Sequence, residues 1–263
     1  TMQDADDDPI FETLPGEAPL WKNTLVTGLF AAPCVVDAIK SELSNYLSEP
    51  FLPIAASKDI EDRDWVGAWR DNYQPIKFGE NLWICPTHLT PPEKDVVTVM
   101  LDPGLAFGTG THATTALCLE WLSNNPELYR DSRVIDYGCG SGILGIAAKL
   151  LGAKECYSTD IDPQALKATE QNAARNGAKI TPQLPEEFSP SPAKLLMANI
   201  LANPLIELAP HLTELVASKG HIVLSGLLVH DADKVREAYE EHFHFSEDAI
   251  QEDWVRLHGV KRY

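Results

Sequence analysis

The spacing of apolar residues changes character near residue 95 and divides the chain into two parts. Upstream, residues 24–31 form a short apolar run that predicts a strand. Pro33 then opens a helical pattern through Leu47, with Val36, Ile39, Leu43 and Leu47 on one face. Residues 51–56 predict a second strand, and Trp65 and Trp69, four apart, share a helical face as packing residues. The stretch from Pro86 to Pro92 reads as a connection. Downstream, strand-like runs alternate with helical ones. Strands are expected at 133–137, 155–160, 194–200 and 220–226, with helices at 142–151, 163–176, 204–217 and 231–241 and strand-like residues in 249–262. Such alternation predicts a mostly parallel sheet covered by helices. The expected organisation is a small α+β domain over 1–60, a helix-bearing linker over 61–95 and a Rossmann-like α/β domain over 96–263.

The motif with the most chemistry lies at the first strand of the alternating part. Arg133-Val-Ile-Asp136-Tyr-Gly138-Cys-Gly140-Ser-Gly142-Ile-Leu-Gly145 runs from an apolar strand through alternating glycines into a helix. Glycine lets backbone approach a ligand closely and adopt positive φ, and the helix start offers unpaired N–H groups. A nucleotide-like ligand outside the carboxyl end of the strand follows from that arrangement. Gly140-x-Gly142-x-x-Gly145 satisfies the dinucleotide spacing, but its first glycine lies four residues beyond Asp136 rather than directly after the strand. The pattern anchored at the strand end is Asp136-x-Gly138-x-Gly140-x-Gly142. An acid there opposes a pyrophosphate and suits a ligand with a cationic amino-acid end, such as S-adenosylmethionine.

Other candidates extend the same crevice. Asp160 closes the next strand, where a carboxylate accepts both hydroxyls of a ribose. Asp162-Pro163 reads as cap and first turn of the following helix, and Asn176-Gly177 as its end. Pro103 to His112 is rich in Gly and Thr, includes Phe107, Gly108, Thr109 and Gly110, and precedes a helix starting near Thr114-Thr115. A loop of this composition can close over a ligand. Asn199 falls at the carboxyl end of the 194–200 strand, and Asn203 before Pro204 reads as a helix cap.

Composition narrows the function class. The 263 residues, 44% hydrophobic, suffice for a sizeable core. Lys and Arg number 21 against 39 Asp and Glu, a formal charge of −18. That surface repels nucleic acid and anionic membranes and attracts a basic partner. Cys34, Cys85, Cys118, Cys139 and Cys156 include no C-x-x-C pair, and the eight histidines no H-x-x-x-H pattern. Neither a disulfide framework nor a metal site is expected, and a reducing cytoplasm fits. No transmembrane run or apolar leader is seen.

These residues together carry a family resemblance. The segments Leu101-Asp-Pro-Gly-Leu-Ala-Phe-Gly-Thr-Gly-Thr-His112 with Thr114-Thr115, Val134 to Gly142, Asp160 to Pro163 and Ala198-Asn-Ile-Leu201 occur in the order found in the bacterial ribosomal protein L-eleven methyltransferase family. Phe11 to Gly16, Asp64-Trp65 and Phe78 to Pro86 extend the likeness upstream. The resemblance implies a ferredoxin-like recognition domain, a linker helix and a seven-stranded methyltransferase domain. It implies S-adenosylmethionine as methyl donor, held at Thr115, Gly138, Asp160 and Asn199, with Phe107 and Gly108 to Gly110 nearby, joined by Asp136 and Gly140 from the glycine motif. It implies a basic large-subunit ribosomal protein as substrate, trimethylated on lysine side chains and the N-terminal α-amine, with Asn199 aiming the amine. His112 is a weaker candidate, as a general base. The family's first strand and helix would precede residue 1, so an incomplete recognition domain is expected. The rivals are a methyltransferase of the same fold acting on another amine, a nicotinamide-dependent oxidoreductase using Gly140 to Gly145, and a ribosome-binding module with a vestigial cofactor site. Calorimetric titration separates the chemistries: S-adenosylmethionine should bind and a nicotinamide dinucleotide should not, and the reverse result would reassign the motif.

Overall fold

The computed structural model describes residues 2–4, 24–31, 34–46, 73–102 and 111–263. The chain forms two compact units, Thr1–Arg63 and Asp64–Tyr263. In the first, β1 (Met2–Asp4) pairs antiparallel with β2 (Thr24–Val26), and α1 spans Val36–Tyr46. The strand expected over 24–31 ends at Val26, because β1 offers only three residues of ladder. The expected strand at 51–56, Trp65 and Trp69 lie outside the described residues.

The second unit opens with a small sheet. β3 (Ile76–Phe78) turns at Gly79, φ +56°, into β4 (Leu82–Cys85), which runs parallel to β5 (Val97–Met100). Phe78, Leu82 and Ile84 are buried in the same core as Val134 and Leu195 of the large sheet. Residues 73–95, expected as linker, are thus part of the larger unit, and Pro86 to Pro92 falls in the connection between β4 and β5.

The large sheet follows α2 (Ala113–Asn124). Its elements are β6 (Arg133–Tyr137), α3 (Ile143–Leu150), β7 (Glu155–Thr159), α4 (Pro163–Arg175), β8 (Ile180–Gln183), β9 (Ala193–Asn199), α5 (Ala202–Glu207), α6 (Ala209–Leu215), β10 (Val216–Leu228), α7 (Ala232–Tyr239), β11 (Phe243–Phe245), β12 (Ala249–Gln251) and β13 (Trp254–Lys261). The strand order is β11-β13-β10-β9-β6-β7-β8, with β12 paired to β13. Strands β6 to β10 are mutually parallel and β13 is antiparallel to β10. This is the mostly parallel sheet that the alternation predicts and the seven-stranded Rossmann-like sheet that the resemblance implies, with β12 added at one edge.

Burial on both faces explains the apolar runs. In β9, Leu195 and Met197 enter the core under α2 and α3, while Leu196 and Ala198 enter the core under α5, α6 and α7. Two expectations need correction. The 204–217 helix is two helices, because Pro210 lacks an N–H and its ring crowds the preceding turn. Asn203 sits inside α5, whose N-cap is Leu201.

A histidine pair closes the far end of β10 and β13. His221 and His258 stack with centroids 5.4 Å apart and a 3.1 Å Nδ1 to Nε2 contact, beside Trp121. Burial, His221 and Arg256 lower the His258 pKa from 6.5 to about 4, and burial with Lys194 lowers that of His221. The unfolded chain therefore binds more protons than the fold between these values. The stability from the neutral pair is present in full above pH 6.5 and is lost as pH falls through the folded value. The melting temperature should drop between pH 7 and pH 4.5, and His258→Gln should flatten that drop. An equal drop in the variant would exclude the pair as its source.

Candidate active site

The sequence candidates converge at the carboxyl ends of β6, β7, β9 and β10. After Tyr137 the chain turns through Gly138, Gly140 and Gly142, with φ of +74°, +54° and +79°. The turn is tied to β7: the Gly138 and Cys139 N–H groups both donate to the Thr159 carbonyl, at 2.8 and 3.0 Å. The Gly140 N–H donates to Asp160 Oδ2 at 2.9 Å. From α4, the Thr169 hydroxyl donates to the Gly140 carbonyl and the Asn172 amide to the Ser141 carbonyl. A Cβ on Gly138 would lie 2.3 Å from Ile200 Cγ2, so the glycine is required by both dihedral and space.

Asp160 accepts backbone N–H groups on both of its oxygens. Oδ2 accepts from Gly140 and Oδ1 accepts from the Asp162 N–H at 3.0 Å. Each oxygen retains a second lone pair. Asp162 caps α4 by accepting the Gln164 N–H at 2.8 Å, as its position before Pro163 suggests. Ile161 between them is 84% exposed, an apolar surface beside the carboxylate that the sequence reading missed. The signal was present: a branched apolar residue between two polar ones at a strand end.

Asp136 ties the end of β6 to the start of α3. It is buried, and its Oδ2 accepts the Gly145 N–H inside the first turn of α3 at 2.9 Å. Burial, opposed by that hydrogen bond, raises its pKa from 3.8 to about 7, with Asp160 adding to the rise. An acid under the N-terminus of α3 occupies the place where a dinucleotide site binds pyrophosphate, so the Gly140 to Gly145 spacing does not describe a nicotinamide site here.

Thr115 and Asn199, 84 residues apart, meet. The Asn199 Nδ2 donates to Thr115 Oγ1 at 3.2 Å, and Asn199 Oδ1 is buried with no hydrogen-bond partner among the described residues. His112 is the N-cap of α2, its Nδ1 accepting the Thr114 N–H at 3.3 Å, and its ring packs edge-on against Trp254 at 4.8 Å. The cap role occupies Nδ1. Phe107, Gly108, Thr109 and Gly110 lie outside the described residues. Among the described residues no group of three or more His, Cys, Asp or Glu is placed to hold a metal ion, and no helix is long and apolar enough to cross a membrane.

The family model for ribosomal protein L11 methyltransferase matches residues 1–262. The chain belongs to the ribosomal protein L11 methyltransferase family. A relative from Ectopseudomonas mendocina named ribosomal protein L11 methyltransferase is 49% identical over 265 residues, covering 100% of this chain and 90% of its own length. A crystal structure of a ribosomal protein L11 methylase from Lactobacillus delbrueckii subsp. bulgaricus superposes with a TM-score of 0.64 at 33% identity, over 73% of this chain and 100% of that one. A 16S rRNA methyltransferase from T. thermophilus, solved with AdoMet and guanosine, shares the fold at 19% identity and a TM-score of 0.51, over 60% of this chain and 45% of that one.

In this member of the family the glycine turn takes left-handed φ at three positions, Gly138, Gly140 and Gly142. Gly138→Ala adds a left-handed penalty of about 1–2 kcal/mol to the collision with Ile200. It should weaken S-adenosylmethionine binding about tenfold or more with the far-UV circular dichroism unchanged. Unaltered affinity in the folded variant would remove this turn from the cofactor site.

Proposed function

We propose that the chain transfers methyl groups from S-adenosylmethionine to amines of ribosomal protein L11, at lysine side chains and the N-terminal α-amine. Family membership supports the methyl transfer, and the name carried by its relatives supports the substrate. The observation that carries the amine chemistry is the orphaned Asn199 Oδ1.

The residues present fit the cofactor. The left-handed Gly138 to Gly142 turn presents backbone at the carboxyl end of β6, and Asp160 keeps acceptors for two hydroxyls. When bound, S-adenosylmethionine supplies an electrophilic methyl group on a sulfonium sulfur. The chain supplies position. Donation of Nδ2 to Thr115 fixes which end of the Asn199 amide accepts. A buried acceptor without a partner costs about 1–3 kcal/mol, and an incoming amine N–H relieves that cost. Held by Oδ1, the amine turns its lone pair away from the acceptor.

The amine must arrive neutral. At pH 7 that costs about 4–5 kcal/mol for a lysine and about 1 kcal/mol for an α-amine. The buried surroundings of Thr114, Thr115 and Ala198 disfavour an ammonium ion and lower this cost. A charge of −18 favours encounter with a basic protein substrate.

The test is methyl transfer to purified ribosomal protein L11, read by mass spectrometry. The wild-type chain should add methyl groups to lysine and α-amine sites. Asn199→Ala should reduce kcat about a hundredfold and change cofactor Kd by less than about tenfold. Equal loss of both would exclude the aiming role, and no transfer by the wild-type chain would exclude the function.

A further inference from the structure

Ser225 joins the elements that meet at Asn199. It pairs with Asn199 across the parallel β9–β10 ladder and is fully buried. Its Oγ lies 3.2 Å from the Thr114 carbonyl and 3.4 Å from the Val255 carbonyl. A hydroxyl has one proton, and the shorter contact ties β10 to the first turn of α2. The Ser225 carbonyl accepts the Ile200 N–H at 3.1 Å, which ties the same residue to the chain just beyond Asn199.

The next residue tightens the joint. Gly226 has φ +87°, and a Cβ there would stand 2.4 Å from the Ile200 carbonyl oxygen. The β10–β13 register shifts between Leu224 and Leu227, so the irregularity falls at Ser225-Gly226. Such bulges re-aim side chains and cluster beside active sites. Here the irregular strand grips Thr114, the neighbour of Thr115, and Ile200, the neighbour of Asn199. Those are the two sides of the Thr115–Asn199 hydrogen bond.

We infer that Ser225 is a positioning residue for amine methylation, holding Thr115 and Asn199 in the register that aims Asn199 Oδ1 at the substrate amine. The inference rests on the Asn199 role proposed above. Its signature is a loss of turnover that depends on Asn199, without an equal loss of cofactor binding.

The experiment is a double-mutant cycle on the full chain with ribosomal protein L11 as substrate, reading kcat, substrate KM, S-adenosylmethionine Kd and melting temperature. Ser225→Ala should lower kcat about tenfold to a hundredfold and leave cofactor Kd within about threefold. In the Asn199→Ala background the same change should lower kcat less than about twofold. Ser225→Cys, which keeps side-chain volume and a weak donor, should fall between serine and alanine. Multiplicative losses in the double variant, or an unchanged kcat in Ser225→Ala while Asn199→Ala is impaired, would overturn the positioning role. A full kcat in Asn199→Ala would instead overturn the amine-aiming reading, so the two failures are distinct. Should Ser225→Ala not fold, the cycle is run with Ser225→Cys and the same criteria.

Discussion

The Thr159 carbonyl is the point on which the site hangs. It accepts from both Gly138 and Cys139, while Asp160, one residue on, accepts from Gly140. Three successive backbone donors that would otherwise face solvent or ligand at random are fixed to the end of one strand. Only a left-handed backbone meets that requirement at Gly138, Gly140 and Gly142, and only glycine takes it at little cost. The rest follows by contact. Ile200 packs where a Gly138 side chain would be, Thr169 and Asn172 hold the outer side of the turn, and Asp136 holds the helix that leaves it.

Electrostatics then selects the ligand. A helix N-terminus ordinarily attracts a phosphate. Here the first turn of α3 is taken by a buried carboxylate, and a second carboxylate stands at the end of the neighbouring strand. The Asp160 carboxylate disfavours an anionic ligand at the end of β7 and favours one carrying positive charge. The same polarity extends to the whole molecule, with 39 Asp and Glu against 21 Lys and Arg. Asn199 and Thr115 add a neutral, directional element at the other side of the crevice.

Much of this was legible in the amino-acid order. Strands buried on both faces leave continuous apolar runs, so β6, β7 and β9 fall within a residue or so of their expected limits. The glycine motif, Asp160 and the cap at Asp162 are local patterns and were readable as such. What escaped has physical reasons. β8 contains Pro182, which reads as a break but is tolerated on an edge strand. β3, β4 and β5 are only three or four residues each and gain their stability from a core assembled elsewhere in sequence. Ser225 carries its meaning through a partner 111 residues away, and no local pattern announces that.

The central claim is that this turn and Asp160 grip a sulfonium nucleoside. The most direct measurement is a crystal structure of the chain grown with S-adenosylhomocysteine, the demethylated product. The account predicts ribose hydroxyls on the Asp160 carboxylate and the amino-acid end beside the Gly138 to Gly142 backbone. Nucleoside density elsewhere on the molecule, with the crevice between β6 and β7 left empty, would contradict it.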